Sequence, residues 1–392
     1  MTLAIAICAR NAAATIERAI ASCLPEPECP ILLVDDHSTD DTVARARTIA
    51  RSRLTVVSAP NPGGVSMARQ AALDAIDTDY AAWLDADDEW VPRRAERLLS
   101  LLCEGADVAV EAIDLHDGAS GRWLRRMTVP AFVRKPGGTL RLFERNFLPG
   151  DTQVAFRTAT FREAGGYDGH LAGSESMDIL LRAIARGARF AFDDEAGYRM
   201  YAYDDSLSRN LVRLRPCLAV ALRKHTYIDI FDRYMHAGFS DRVAAWALVS
   251  VAMFRDEPEA ALDFVDVASP SDANPREILE PSGPWPFVEG WRRAFFRGTA
   301  LLRLGGDDSR AAAELMRAEA IDPTAEGANN LGVALARLGH GVAAQSAFQT
   351  ACARLPTYRD AWLNRRASAP AQITTHPLRR APSRSEYRVA SA

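Results

Sequence analysis

Short apolar runs alternate with amphipathic stretches over the first hundred residues. The runs predict buried strands at residues 3–8, 31–34, 54–57 and 81–84. Between them, apolar positions recur at helical spacing after Asn11, from Val43 to Ile49 and over residues 65–76. Strands that alternate with helices of about ten residues predict an α/β fold with a doubly wound, mostly parallel sheet.

Carboxylates follow two of these predicted strands. Asp36 comes directly after strand 31–34, and Asp85 and Asp87 come directly after strand 81–84. The carboxyl ends of parallel strands form the ligand-binding edge of an open α/β sheet. Carboxylate oxygens suit Mg²⁺ and Mn²⁺, which can also hold a substrate's phosphates. The alternative is ordinary turn and helix-cap chemistry, which the acidic residues alone would favour.

Arg69 stands early in the predicted helix over residues 65–76. A guanidinium pairs well with phosphate oxygens, so this side chain is a candidate to face a diphosphate. The alternative is a solvated surface arginine.

Four segments stand in the order and spacing of family 2 glycosyltransferases: residues 5–11, 34–42, 61–70 and 84–88. The chain therefore resembles these inverting enzymes of the GT-A fold over roughly residues 1–215. The resemblance implies a nucleotide-sugar donor, usually a UDP-sugar, and Mn²⁺ or Mg²⁺. By position, Asp36 would bind the nucleobase, Asp85 the ribose or the metal, and Asp87 the metal. The resemblance further implies that residues Cys8, Ala9 and Arg10 line the nucleotide site, mostly through backbone atoms.

Residues 174–182 resemble the family's catalytic helix, with one departure. Glu175, Asp178 and Arg182 match the family pattern, whereas Ser176 replaces the aspartate that normally serves as catalytic base. A positioned base contributes about 10² to 10⁴-fold to the rate. Serine cannot do this at neutral pH without a base of its own.

Three carboxylates are alternative bases. Glu175 and Asp178 are three residues apart and share a helix face, so either can substitute. The structural alternative for Asp178 is an ion pair with Arg182 at i+4, and for Glu175 a structural role weighs as much as a catalytic one. Asp151 is a weaker candidate from the acceptor side.

The end of the same region carries a second departure. Residues 198–201 and 206–208 resemble the family's closing motif, but Tyr201 replaces the histidine that often completes the metal shell. A neutral phenol is a poorer ligand than imidazole, so we expect weaker metal binding.

The remaining chain has helical patterns only. Helices are predicted over residues 218–234, 242–254 and 258–267, followed by a Pro- and Ser-rich linker over 269–286. Residues 296–323 align with 329–356 at a period of about 33, near that of tetratricopeptide repeats. The repeats predict protein binding or self-association, with simple structural extension as the alternative.

These patterns predict four regions along the chain. They are a GT-A domain over residues 1–215, a helical extension and linker over 216–290, tetratricopeptide-like repeats over 291–365 and a basic tail over 366–392. The tail is rich in Ala, Ser, Pro and Arg, and we expect it to be disordered.

Composition and charge argue against several classes of protein. The net charge of −4 and pI near 6.0 argue against a nucleic-acid binder. The six cysteines form no CxxC pair, which favours a reduced compartment. The longest apolar stretch, residues 244–254, is too short to span a bilayer, and no signal peptide is evident. We expect a cytoplasmic protein, with peripheral association at the inner face of a membrane left open.

Two functions remain. The first is inverting sugar transfer from a nucleotide-sugar to an acceptor hydroxyl, with the acceptor unknown. The second is a catalytically weak or inactive GT-like domain that acts through its repeats as a scaffold in glycan or cell-surface assembly. A plain Rossmann dehydrogenase is excluded because no GxGxxG follows the first strand.

Overall fold

The computed structural model describes residues 2–26, 28–203, 211–366 and 371–377. The chain divides into two compact units. The first unit comprises Met1–Leu142 and Asn146–Ala221, and the second comprises Phe143–Arg145 and Leu222–Ala392. The family-like motif at residues 206–208 lies outside the described residues.

The first unit is built on a mixed sheet. Its strands are β1 Leu3–Ala9, β2 Ile31–Asp35, β3 Leu54–Ser58, β4 Tyr80–Trp83, β5 Glu89–Trp90, β6 Val108–Asp117, β7 Trp123–Met127, β8 Ala155–Arg157 and β9 Phe190–Ala202. They lie in the order β3-β2-β1-β4-β8-β6-β9-β5, with β7 beside β6. The predicted parallel arrangement holds for β3, β2, β1 and β4. Beyond β4 only β6 and β9 run parallel, and the pairs that involve β5, β7 and β8 are antiparallel.

Central position explains why the predicted strands read as continuous apolar runs. Strands β1 and β4 each have a neighbour on both sides and are buried along nearly their whole length. Strand β3 lies at the edge and is partly exposed. A strand covered on both faces needs apolar side chains at successive positions, so it lacks the polar alternation of a half-exposed strand.

The helices follow the predicted pattern with two corrections. They are α1 Ile16–Cys23, α2 Thr42–Ala50, α3 Val65–Ala75, α4 Arg94–Cys103, α5 Ala131–Arg134, α6 Thr158–Glu163, α7 Glu175–Ala185, α8 Leu211–Arg223, α9 Tyr227–His236, α10 Asp241–Arg255, α11 Pro258–Ala268, α12 Glu289–Leu304, α13 Asp308–Ile321, α14 Ala325–Arg337, α15 Gly341–Arg354 and α16 Arg359–Arg365. The single helix predicted over 218–234 is two helices, because the Thr226 hydroxyl accepts from the Asp229 N–H and begins α9. The stretch over 121–145, for which no element was predicted, contains β7, α5 and buried apolar residues.

Helical pairs form the second unit. Helices α12 and α13 pack together, as do α14 and α15, in the two stretches that the repeat analysis aligned. Glycine permits the close approach within the second pair, since a Cβ at Gly332 would lie 2.5 Å from the Phe348 ring. The paired helices agree with the repeat period, while their identity as tetratricopeptide repeats stays a prediction. No helix among the described residues is long and apolar enough to cross a membrane.

Candidate active site

Strands β1, β2 and β4 deliver their last residues to one edge of the sheet. The Asp36 N–H donates to the Ala9 carbonyl at 2.8 Å, and the Leu84 N–H donates to the Ala6 carbonyl at 3.0 Å. These bonds continue the parallel ladders past the strands' ends. They bring the segments that begin at Asp36 and Asp85 to the same edge, as the sequence pattern predicted.

Asp36 is buried and fixes the turn that precedes α3. Both of its carboxylate oxygens accept from the Gly64 N–H, at 2.9 and 3.1 Å. Gly63 has a φ of +82°, and a Cβ there would lie 2.3 Å from the Asp36 carboxylate. Arg10 approaches the same carboxylate at 3.7 Å from the exposed side. The structure thus gives Asp36 a turn-holding contact, and its contact with a nucleobase stays a prediction.

Arg69 links the two acidic segments of the site. Its Nη2 lies 3.1 Å from Asp85 Oδ1, and its Nε lies 3.1 Å from Glu175 Oε1. The guanidinium also lies 4.8 Å from the centre of the Trp83 ring. The side chain is only 5% exposed, so Arg69 is not a solvated surface residue. Burial lowers its pKa, but the two carboxylates outweigh burial and raise it, which keeps the guanidinium charged.

A ring of five hydrogen bonds, closed by the peptide bond between Thr152 and Gln153, runs through this cluster. Gln153 Nε2 donates to Asp85 Oδ2 at 2.6 Å, and the neighbouring Thr152 hydroxyl lies 3.1 Å from the Ser176 hydroxyl. Ser176 donates to Glu175 Oε1 at 3.3 Å, and Arg69 completes the ring between Glu175 and Asp85. A mostly buried polar network whose members are all bonded fixes their geometry. Ser176 therefore acts here as a hydrogen-bonding link.

Asp151 directly precedes Thr152 and Gln153, the ring residues that contact Ser176 and Asp85. Burial raises the pKa of its carboxyl to about 6, and the negative charge of Glu175 raises it further against the lowering effect of Arg69. A base whose pKa lies near the working pH transfers protons most effectively. The structure therefore gives the weaker sequence candidate a basicity suited to neutral pH.

Asp178 forms the ion pair with Arg182 that was the structural alternative to a role as base. It is fully buried and pairs with Arg182, whose Nε donates to Asp178 Oδ2 at 3.0 Å. Arg182 also donates to the Ala164 and Gly166 carbonyls. These bonds tie α7 to the glycine turn before it, so the observed contacts of Asp178 are those of an anchor within the fold.

The acidic loop after β4 is held from two sides. Tyr198 accepts from the Asp85 N–H at 2.9 Å, and Asp88 Oδ1 accepts from the Tyr201 N–H at 2.7 Å. Arg18 on α1 donates to the Asp87 carbonyl and lies 4.0 Å from the centre of the Tyr201 ring. These backbone bonds orient the loop whichever ligand it binds.

Sequence reasoning missed the roles of Arg18, Thr152 and Gln153. Arg18 stands on the polar face of an ordinary amphipathic helix, and residues 152–153 precede strand β8. No local pattern distinguishes them, because their partners lie 24 to 69 positions away in the chain.

The residues present fit a cation that a diphosphate helps to bind. No group of three or more His, Cys, Asp or Glu side chains is placed to hold a metal within the described part of the chain. Burial and the nearby Glu89 raise the pKa of the Tyr201 phenol, so at neutral pH it is not an anionic ligand. Asp85 and Asp87 would be the oxygen donors, and Mg²⁺ is commonly held by one or two carboxylates together with substrate phosphates.

The end of β1 borders the same cluster. Burial raises the pKa of the Cys8 thiol to about 12, against the lowering effect of Arg69. A thiol with this pKa stays protonated and is no nucleophile at neutral pH. That Cys8, Ala9 and the exposed Arg10 line the nucleotide site stays a prediction.

Comparison with known proteins adds family information to this geometry. Residues 4–164 match the model of Glycosyl transferase family 2. Succinoglycan biosynthesis protein ExoU of Rhizobium meliloti (strain 1021) is 35% identical over 217 residues, which cover 52% of this chain and 63% of that protein. ExoO of the same organism is 31% identical over 227 residues, which cover 52% and 62%. The chain thus spans about three fifths of the length of these relatives.

Solved structures resemble this chain in fold. The crystal structure of S. aureus TarS 1–349 in complex with UDP-GlcNAc aligns with a TM-score of 0.57 at 14% sequence identity. The alignment covers 83% of this chain and 95% of that chain. At this identity the likeness concerns the fold alone, and it confirms the predicted α/β architecture of the GT-A type.

Proposed function

We propose that this chain, whose residues 4–164 match the model of Glycosyl transferase family 2, is an inverting glycosyltransferase. It moves a sugar from a nucleotide-sugar, preferably a UDP-sugar, to an acceptor hydroxyl during polysaccharide assembly. Two relatives carry names in succinoglycan biosynthesis, and the structural neighbour holds UDP-GlcNAc, which supports this donor and this process.

One observation carries the proposal. Arg69 lies between Asp85 of the acidic loop and Glu175 of the catalytic-helix motif, with contacts of 3.1 Å to each. Residues from three distant stretches are thereby brought together at the sheet edge where ligands bind. A guanidinium has five N–H donors, and these two contacts use two of them. Others remain for phosphate oxygens of the donor.

A divalent cation belongs to the proposal. Asp87 and Asp85 would hold it together with the diphosphate. When bound, such a cation stabilises the departing diphosphate as a Lewis acid, an effect worth several kcal/mol. The chain itself orients this region through the bonds that Arg18 and Tyr198 make to the acidic loop.

The chemistry is a single displacement at the anomeric carbon. The acceptor oxygen attacks from the face opposite the diphosphate, the bond from carbon to the phosphate oxygen breaks, and the acceptor proton passes to a carboxylate. We assign that carboxylate to Asp151, because it directly precedes Thr152 and Gln153, which contact Ser176 and Asp85, and because its raised pKa suits proton transfer near neutral pH. Glu175 remains the competing base. Its Oε1 already receives bonds from Arg69 and Ser176, which favours a positioning role.

Nucleotide release from a panel of UDP- and GDP-sugars tests the proposal. The assay is run with Mn²⁺, with Mg²⁺ and with EDTA, first without acceptor to record slow hydrolysis. We expect metal-dependent release of one nucleotide that is lost in Asp85→Asn. A folded protein that releases none from any donor would contradict the proposal.

The competing function is a scaffold with a weak or inactive transferase-like domain. Ser176 favours it, since the residue at the usual position of the base forms a neutral link in the hydrogen-bonded ring. The intact Asp85-x-Asp87 pair and the buried Arg69 oppose it, because a scaffold has no need of a metal and diphosphate site. We therefore place it second.

A further inference from the structure

An extended segment lies in the second unit along α14 and α16. Residues 371–377 follow α16 in the sequence and fall within the tail that we expected to be disordered. For these seven residues the expectation is wrong. Ile373, Thr374 and His376 are buried, with 4 to 7% of their surface exposed. The groove that holds this segment is lined by residues of α10, α12, α14 and α16.

Asparagine amides bind the backbone of the segment. Asn330 Oδ1 accepts from the Thr374 N–H at 2.9 Å, and its Nδ2 donates to the Thr374 carbonyl at 2.8 Å. Asn364 makes the same pair of bonds to Gln372, at 2.6 and 2.9 Å. Residues 372 and 374 alternate as in a strand, and each has both backbone groups held by one amide. Contacts of this kind recognise an extended backbone whatever its side chains.

The three asparagine amides depend on the segment for hydrogen bonds. Asn329 and Asn330 are fully buried and Asn364 is nearly so. Asn329 Nδ2 donates to the Gln372 carbonyl at 3.0 Å, and its Oδ1 accepts from Asn364 at 2.8 Å. Removing the segment would take away the backbone partners of three buried amides, and a buried polar group without a partner costs free energy. The groove therefore favours an occupant whose backbone N–H and C=O groups can bond to these amides over one that makes apolar contacts alone.

Two side chains of the segment enter specific pockets. The Thr374 hydroxyl donates to Asp360 Oδ2 at 2.9 Å and also contacts the Tyr358 hydroxyl. The His376 ring stacks on Phe254 with centroids 3.8 Å apart, and its Nε2 lies 3.0 Å from the Ser250 carbonyl. A hydroxyl at one position and a polar aromatic ring two positions later thus fit this groove.

We propose that this groove is a binding site for extended peptides of the pattern Thr-x-His, and that residues 371–377 are its tethered occupant. The tether holds the segment near the groove at an effective concentration of the order of millimolar. A partner's peptide must displace this segment, so only a peptide that binds the groove tightly enough to outcompete residues 371–377 is bound. The proposal is independent of the proposed transferase activity.

Competition by a free peptide tests the proposal on the full chain. The probe is a fluorescent peptide with the sequence of residues 371–377, measured by anisotropy, and a reversed-sequence peptide is its control. A tail variant that combines Thr374→Val with His376→Ala should bind the probe at least tenfold more tightly than the unmodified chain. Adding Asn330→Ala and Asn364→Ala to the tail variant should abolish the gain.

Other outcomes overturn the proposal. If the tail variant unfolds cooperatively but binds the probe no better than the unmodified chain, or binds the reversed peptide equally, the groove does not recognise this peptide. Loss of cooperative unfolding in the tail variant would make the segment part of the core. If the unmodified chain sediments as a dimer that the tail variant lacks, the occupant belongs to a second copy and the tether is refuted.

Hydrogen exchange gives an independent reading without any substitution. A displaceable segment opens while the helices stay folded, so the amides of Gln372 and Thr374 should exchange at least 100-fold faster than those in the middle of α14. Exchange of both groups at the same rate would mean that the segment opens only with the whole unit.

Discussion

The proposed donor and acceptor sides of the candidate active site differ in how closely they follow the family pattern. On the donor side, Asp36, Arg69, Asp85 and Asp87 all stand where the resemblance to family 2 glycosyltransferases places them. On the acceptor side, Ser176 replaces the usual base and makes a hydrogen bond to Thr152. A diphosphate and its cation place similar demands on every donor site, whereas an acceptor hydroxyl can be reached by a base from more than one direction.

The carboxylates on the two sides also differ in how their charges are compensated. Arg69 offsets the charge of Asp85, which we propose for the donor side, and that of Glu175 on the catalytic-helix motif. For Asp151, which we propose as the base on the acceptor side, burial and the charge of Glu175 raise the pKa to about 6. We therefore propose that the paired charges around Arg69 serve donor binding. The Asp151 carboxylate, whose charged form burial disfavours, serves proton transfer.

The largest effect is expected on the donor side. Asp87→Asn removes a proposed metal ligand and should weaken donor binding in Mn²⁺ at least 100-fold, with turnover reduced about 10³-fold, because the Lewis acid supplies several kcal/mol. Calorimetry and nucleotide release measure the two quantities. Asp77→Asn, an exposed aspartate, is the matched control and should change neither. Unchanged donor affinity in Asp87→Asn would remove Asp87 from the metal site.

The next effect is expected on the acceptor side. Asp151→Asn should reduce kcat at least 100-fold with donor affinity unchanged, since only the base is lost. In the unmodified enzyme kcat should fall about tenfold per pH unit below pH 6, as the Asp151 carboxylate becomes protonated. Asp79→Asn, which replaces an exposed aspartate, is the control.

Stability distinguishes a base from a merely structural aspartate. The folded protein holds the Asp151 proton more tightly than the unfolded chain does, because its pKa rises from the usual 3.8 to about 6. Its charged form therefore costs stability that grows from about pH 4 to pH 6 and is fully present above. Asp151→Asn should stabilise the protein by about 1 to 3 kcal/mol at pH 7 and by nothing at pH 3. Destabilisation at pH 7 would mean that Asp151 serves the fold.

Glu175→Gln separates the two candidate bases with a smaller effect. Its carboxylate raises the pKa of Asp151, so its removal should move the acidic limb of the kcat profile to lower pH while turnover persists. Glu163→Gln, an exposed residue on α6, is the control. Loss of kcat at every pH, with Asp151→Asn still active, would make Glu175 the base.

The smallest effect is expected from restoring the family's histidine. Tyr201→His offers an imidazole near the acidic loop and should lower the Mn²⁺ concentration for half-maximal activity several-fold, with kcat within about twofold. A titration with Mn²⁺ at saturating donor measures it. An unchanged Mn²⁺ requirement would show that position 201 does not face the metal.

Sequence patterns predicted the parts of the molecule whose signals are local. Strands β1 to β4 and helix α3 were foreseen because continuous apolar runs and helical spacing mark them within a few residues. The ring that joins Thr152 to Ser176 and Gln153 to Asp85 was not foreseen, because its bonds cross 24 and 68 positions. Composition likewise predicted a disordered tail, because it does not show that Asn330, 44 positions before Thr374, and Asn364, eight positions before Gln372, bind the backbone of this segment.

The central claim is that the first unit binds a nucleotide-sugar through a metal-dependent site. Calorimetry of UDP, GDP and their common sugars, with Mn²⁺ and then with EDTA, tests it most directly. We predict that one nucleotide, UDP, and one of its sugars bind in Mn²⁺, and that EDTA and Asp87→Asn each abolish the binding. Absence of binding to every nucleotide by a protein that unfolds cooperatively would contradict the claim and favour the scaffold.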